Sequence, residues 1–158
     1  MTTLRREVKR QSGIISVWAT VAVGALLLSG CAASKPSAIA LTNEGITLQQ
    51  QGDLDGAIAK YRQALVVDPN DAQAHLALGS ALQKKKDIDG AIAEYRAALS
   101  KEPNLAGAHM GLGYCLYAKG DTPGAIRELK AYLQNPPADE PEMKAKVEQD
   151  LQKLEAAR

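Results

Sequence analysis

The side chains that could do chemistry here are few: two histidines and two cysteines among 158 residues. His75 and His109 stand 34 residues apart, a pairing that could suggest a shared metal site. A closed zinc site needs four ligands drawn from Cys, His and carboxylate, and no Cys or carboxylate cluster accompanies either histidine. Cys115 interrupts an apolar helical pattern and reads as a small buried filler. The Ser, Asp and Glu residues fall at helix starts and polar faces, without a Gly-rich phosphate loop or a nucleophile elbow. Lys84-Lys85-Lys86 closes a helical stretch, where cations suit the dipole and stay solvated. The sequence therefore predicts no catalytic residues, no metal, no cofactor and no small-molecule substrate: a protein that is not an enzyme. Only Cys31, after Leu28-Ser29-Gly30, stands in a setting that asks for covalent chemistry.

That setting is a leader. Arg5, Arg6, Lys9 and Arg10 precede an apolar run from Ile14 to Leu28, followed by small residues. Basic, then apolar, then small is the order of a secretory signal. The ending L-S-G-C closely resembles the lipobox of bacterial lipoproteins. The resemblance implies that residues 1–30 are removed and that Cys31 becomes the acylated first residue, carrying palmitate-type chains. Residues 31–37, with Lys35-Pro36, would be a short lipidated tether. Ala32 follows the cysteine where an Asp would mark retention, so by the same resemblance a Gram-negative source would place the protein at the outer membrane. The competing reading is an uncleaved transmembrane helix, since the uncharged stretch 11–34 is long enough to span a bilayer of about 20 apolar residues. Ser16, Thr20, Gly24, Ser29 and Gly30 make it a mediocre one.

Charge narrows the partners. The chain is +1 overall, but residues 1–30 hold +3, which leaves −2 for the rest. A mildly acidic body argues against nucleic acid, whose binding depends on clustered Lys and Arg.

The elements that must position any binding surface repeat at a 34-residue offset. Gly45, Gly79 and Gly113 coincide, as do Asp53, Asp87 and Asp121. So do Ala57, Ala91 and Ala125, then Ile58, Ile92 and Ile126, then Pro69, Pro103 and Pro137. The second copy reads His75-x2-Leu78-Gly79-x2-Leu82, then Ala91-x3-Tyr95, then Pro103. This period and pattern resemble the tetratricopeptide repeat. Glycine inside a helix costs about 1 kcal/mol against alanine, so three in register imply close approach to a second helix at Ala57, Ala91 and Ala125. The aspartates suit N-caps of those second helices, and Gly52 and Gly120 suit the turns before them.

The fold expected is all-α, an αα-hairpin solenoid of three tetratricopeptide repeats (38–71, 72–105 and 106–137) with a capping helix in 138–158. Met143, Val147, Leu151 and Leu154 form the capping helix's apolar stripe, and Tyr132 replaces a small residue where it could meet them. Glu44 stands where the pattern wants Leu, so the first repeat is the poorest fit and is expected to fray.

The resemblance also implies a binding face, because in this family the first helix of each repeat lines a concave surface. Those positions are Thr42, Ile46 and Gln49, then Leu76, Ser80 and Gln83, then Met110, Tyr114 and Tyr117. Tyr and Met are favoured at interface cores, so the expected contact is centred on Met110, Tyr114 and Tyr117, with Leu76, Ser80 and Gln83 beside it. Packing of Tyr114 or Tyr117 beneath the closing helix is the competing reading. The family's carboxylate clamp wants Lys and Asn where Thr42 and Ile46 stand, which argues against a chaperone C-terminus as ligand. The whole predicts a lipid-anchored scaffold of the bacterial cell envelope that binds a protein or peptide partner, in pilus or secretion-complex assembly or as an adaptor for envelope enzymes. The alternative is a self-associating structural lipoprotein.

Overall fold

The second helix of each pair begins in the same way three times. Asp53, Asp87 and Asp121 each accept a hydrogen bond from the backbone N–H three residues on, at Gly56 (2.9 Å), Gly90 (3.0 Å) and Gly124 (2.9 Å). That satisfies one of the donors every helix start leaves unpaired. A Cβ on any of these glycines would collide with the capping carboxylate, so D-x-x-G is a single device. The turn before it needs a left-handed residue. Gly52 (φ 87°) and Gly120 (φ 83°) supply one, and Lys86 (φ 67°) is forced into the same conformation in the middle copy.

The computed structural model describes residues 35–157. The expected leader, Cys31 and most of the tether lie outside those residues. Among the described residues there are seven helices and no strands: α1 Ala38–Gln50, α2 Leu54–Val67, α3 Ala72–Lys84, α4 Ile88–Lys101, α5 Ala106–Ala118, α6 Thr122–Gln134 and α7 Pro141–Ala156. The pairs α1–α2, α3–α4 and α5–α6 pack as hairpins, each hairpin packs on the next, and α7 packs on α6. First helices also touch in succession, α1 with α3 and α3 with α5. This is the solenoid expected, in which stability accumulates from neighbour contacts. No described helix is long and apolar enough to cross a membrane.

One core runs through the first two hairpins and into the third, and includes Ala57, Tyr61, Leu78, Ala91, Tyr95, Leu112, Cys115 and Ala125. A second core holds Ile126, Leu129, Tyr132, Val147 and Leu151, where α7 closes the end. Tyr132 thus meets the closing helix as anticipated.

Two expectations change in detail. The register glycines do face the second helix of their own repeat, but the group pressing on them is the side chain four residues past the small Ala: Tyr61 on Gly45, Tyr95 on Gly79 and Leu129 on Gly113. Glu44 is no flaw. It is exposed and pairs with Lys60 of α2 at 2.6 Å, whereas Leu78 and Leu112 at the same position are buried. Among the described residues no earlier repeat covers that site, so a polar residue suits the open end of a solenoid. Lysines also bridge repeats in phase: Lys85 pairs with Asp55, and Lys119 with Asp89 at 2.9 Å. Both pairs are largely exposed, and such pairs are worth at most about 1 kcal/mol each.

Candidate binding groove

The first helices line one groove of about 510 Å³. Thr42, Ile46 and Gln49 come from α1, Gln73, Leu76, Ala77, Ser80 and Gln83 from α3, and Gly107, Met110, Gly111 and Tyr114 from α5. Tyr61 and Tyr95 reach in from the second helices as its floor, and Met143 and Lys146 of α7 close one end. Among the described residues, Lys146 is the only charged one in that lining. The groove is built from amides, hydroxyls and apolar groups.

Each floor tyrosine is held by the residue that ends the lining of its repeat. Tyr61 donates its hydroxyl to Gln49 Oε1 (3.2 Å), and Tyr95 donates to Gln83 Oε1 (2.8 Å). Burial raises both phenols above their ordinary value, Tyr95 most, with the Cys115 thiol adding to the effect there. They therefore act as hydrogen-bond donors. Tyr95 also dictates Gly111, because a Cβ there would overlap its ring.

Five of the six predicted contact residues, Leu76, Ser80, Gln83, Met110 and Tyr114, line this groove. Tyr117 does not, and is 53% exposed. The reason is local. Tyr117 is in phase with Gln49 and Gln83, but its partner position holds Leu129 instead of Tyr, so no phenol is present to hold it over the groove. Tyr114 lines the groove and also donates to Asp150 Oδ2 of α7 at 3.1 Å, so it packs against the closing helix while facing the groove. Its phenol is pushed up to about 12 by burial, then by the hydrogen bond to Asp150 and that carboxylate's charge. Met110 likewise packs against the second core. The third-repeat end is thus braced by the closing helix.

The floor tyrosines and Gly111 escaped the sequence reading. Tyr61 and Tyr95 occupy the packing position of second helices, and the signal that could have found them was their 12-residue separation from Gln49 and Gln83, kept in both copies.

The histidines prove to be struts. His75 Nδ1 lies 2.7 Å from Glu94 Oε2, with Nε2 3.3 Å from the Pro69 carbonyl. His109 repeats this with Glu128 (2.9 Å) and Pro103 (2.9 Å). Each ring ties its first helix to its second helix and to the loop that enters it. Among the described residues no group of three or more His, Cys, Asp or Glu is gathered to hold a metal. Cys115 is fully buried and its thiol is pushed up to about 11 by that burial, the setting of an inert thiol.

The comparisons agree with this architecture. A family model described as TPR repeat matches residues 45–86, and one described as tetratricopeptide repeat matches 82–149. The two matches together run through most of the described residues. The repeats of this chain are of the tetratricopeptide type. Its fold is similar to that of the Yersinia enterocolitica type III secretion translocator chaperone SycD, at 20% identity and a TM-score of 0.70, over 74% of this chain and 82% of that one. The same chaperone in complex with a peptide of the translocator YopD matches at 20% and 0.70, over 74% and 91%. The first tetratricopeptide domain of Spaghetti (RPAP3), bound to the HSP90 peptide SRMEEVD, matches at 21% and 0.70, over 77% and 94%. At such identities the likeness is one of fold. No curated protein matches the sequence.

Proposed function

We propose that this protein is a membrane-anchored interaction scaffold of the bacterial cell envelope. Cys31 bears the lipid, the repeats stand outside the cytoplasm, and the groove takes a peptide segment of a protein partner. In a Gram-negative source the location is the periplasmic face of the outer membrane. The observation that carries the reading is the groove itself, continuous across three first helices and floored by two tyrosines. Its chemistry narrows the ligand. With Lys146 the one charge in the lining among the described residues, the groove suits an uncharged segment with apolar side chains, whose backbone can meet Gln49, Gln73 and Gln83. An acidic C-terminus of the SRMEEVD kind would find a single cation. Two structures of similar fold hold peptides, which favours this ligand class over a small molecule.

Filling the groove tests the reading. Ser80→Trp, in its middle, is expected to abolish recovery of partners from detergent-extracted envelopes. Ala93→Trp, on the exposed side of α4, should leave recovery intact. Equal recovery by both variants would discard the groove as the binding site.

A further inference from the structure

The 34-residue repeat supplies its own controls for exposed apolar residues. Ile39 is 71% exposed, Val66 83% and Val67 53%. In the second repeat the same positions are Gln73, Ser100 and Lys101, and in the third Gly107, Gln134 and Asn135. The chain makes these positions apolar only in the first hairpin.

All three lie at one end of it. Gly45 of α1 faces Tyr61 of α2, and counting outward six residues each way sets Ile39 level with Val67. Ala38 and Leu41 share a core cluster with Ala64, with Leu65 packed beside it, which fixes that end independently. It is also the end where the chain enters. Six residues, 32–37, separate Cys31 from Ala38, and fully extended they span only about 20 Å.

We infer that this end of the first hairpin is a lipid-seating surface, with Ile39, Val66 and Val67 entering the interface of the bilayer that holds the Cys31 anchor. The inference rests on the lipid-anchor reading given above. An anchor of such short reach keeps the first hairpin beside the membrane, where exposed apolar side chains gain by settling about 5–10 Å into the headgroup–acyl boundary. Asp68 and Asp71 flank the site, so a zwitterionic surface fits better than an anionic one. The seat shares no residue with the groove of about 510 Å³, but Ile39 borders it, because Thr42, Ile46 and Gln73 line both that groove and the cavity that Ile39 helps to line.

The test uses the full chain, expressed with its leader, extracted and reconstituted in phosphatidylcholine vesicles. A polarity-sensitive fluorophore is placed at V66C or I39C, with S100C and Q134C, the positions in phase with 66, as controls. Cys115 is fully buried and stays unlabelled in the folded protein. Quenching by lipids bearing a nitroxide in the upper acyl chain should be roughly twofold or more stronger at 66 and 39 than at 100 and 134, with a blue shift at the first two only, as shallow insertion requires. Mass spectrometry of the same sample reads the anchor. A lipidated chain with equal quenching at all four sites overturns the seat and leaves the anchor standing. A chain with intact Met1 and unmodified Cys31 overturns the anchor and the seat with it. Energy transfer between copies labelled at V66C, with no lipid quenching, assigns the patch to a second copy and also overturns the seat.

Discussion

The second and third repeats solve one packing problem with their bulk in different places. In the second, Tyr95 stands over Gly79, reaches Gly111 of the next first helix and bonds Gln83, while Ala98, three residues on, is small. In the third, Leu129 takes the Tyr95 position and Tyr132 takes that of Ala98. The aromatic has moved one turn along α6, from the groove to the closing helix, where it packs with Val147 and Leu151. Where another repeat follows, the large ring links two first helices and floors the groove. Where the solenoid ends, the ring secures the cap. The displacement of Tyr117 from the groove follows from the same exchange.

Breaking that difference should cost most at Tyr95. Truncating a large, fully packed aromatic costs about 3–5 kcal/mol, so Tyr95→Ala should lower stability in urea by that amount. Gly111→Ala should cost about 1–3 kcal/mol by overpacking. In a Tyr95→Leu background, which makes the second repeat resemble the third, most of that Gly111 penalty should vanish. A double-mutant cycle measures the coupling, and additive effects would show that the ring does not press on Gly111.

A smaller effect should change sign between the two aromatics. Tyr95→Phe removes a hydroxyl that is bonded to Gln83, a loss of about 1 kcal/mol. Tyr132→Phe removes one that is buried with no partner among the described residues, and should gain up to about 1 kcal/mol by the same reasoning. Thermal melts of the two variants moving in opposite directions would check it.

The smallest change concerns the turn. Lys86 adopts the conformation that Gly52 and Gly120 hold in the flanking repeats. A non-glycine residue there costs about 1–2 kcal/mol, partly offset by the greater chain entropy of an unfolded glycine. Lys86→Gly should therefore stabilise by about 0.5–1 kcal/mol, read from the urea midpoint. A fall in midpoint would mean that Lys86 makes a contact worth more than its strain.

Most of the fold was legible because each repeat restates it. The spacing of Gly45, Gly79 and Gly113, the Asp caps and the apolar stripe of α7 each fix one element, and three copies in phase leave little freedom. The site was less legible, for a physical reason. Phase transfers a position from one repeat to the next, but not the neighbour that holds the side chain there. Tyr117 inherits the place of Gln49 and Gln83 without the phenol that anchors them. Glu44 inherits the place of a core Leu at an end where, among the described residues, no repeat covers it. His75 and His109 have the spacing of a metal pair, yet each was committed to a glutamate on its own second helix, a contact across 19 residues that no local pattern marks.

The proposal that the concave face built by α1, α3 and α5 meets a protein partner can be tested in place. A photo-crosslinking residue placed at Leu76, and separately at Arg96 on the exposed side of α4, reads this in intact cells. Discrete partner adducts are expected from Leu76 and none from Arg96. Adducts from Arg96 with none from Leu76 would contradict it.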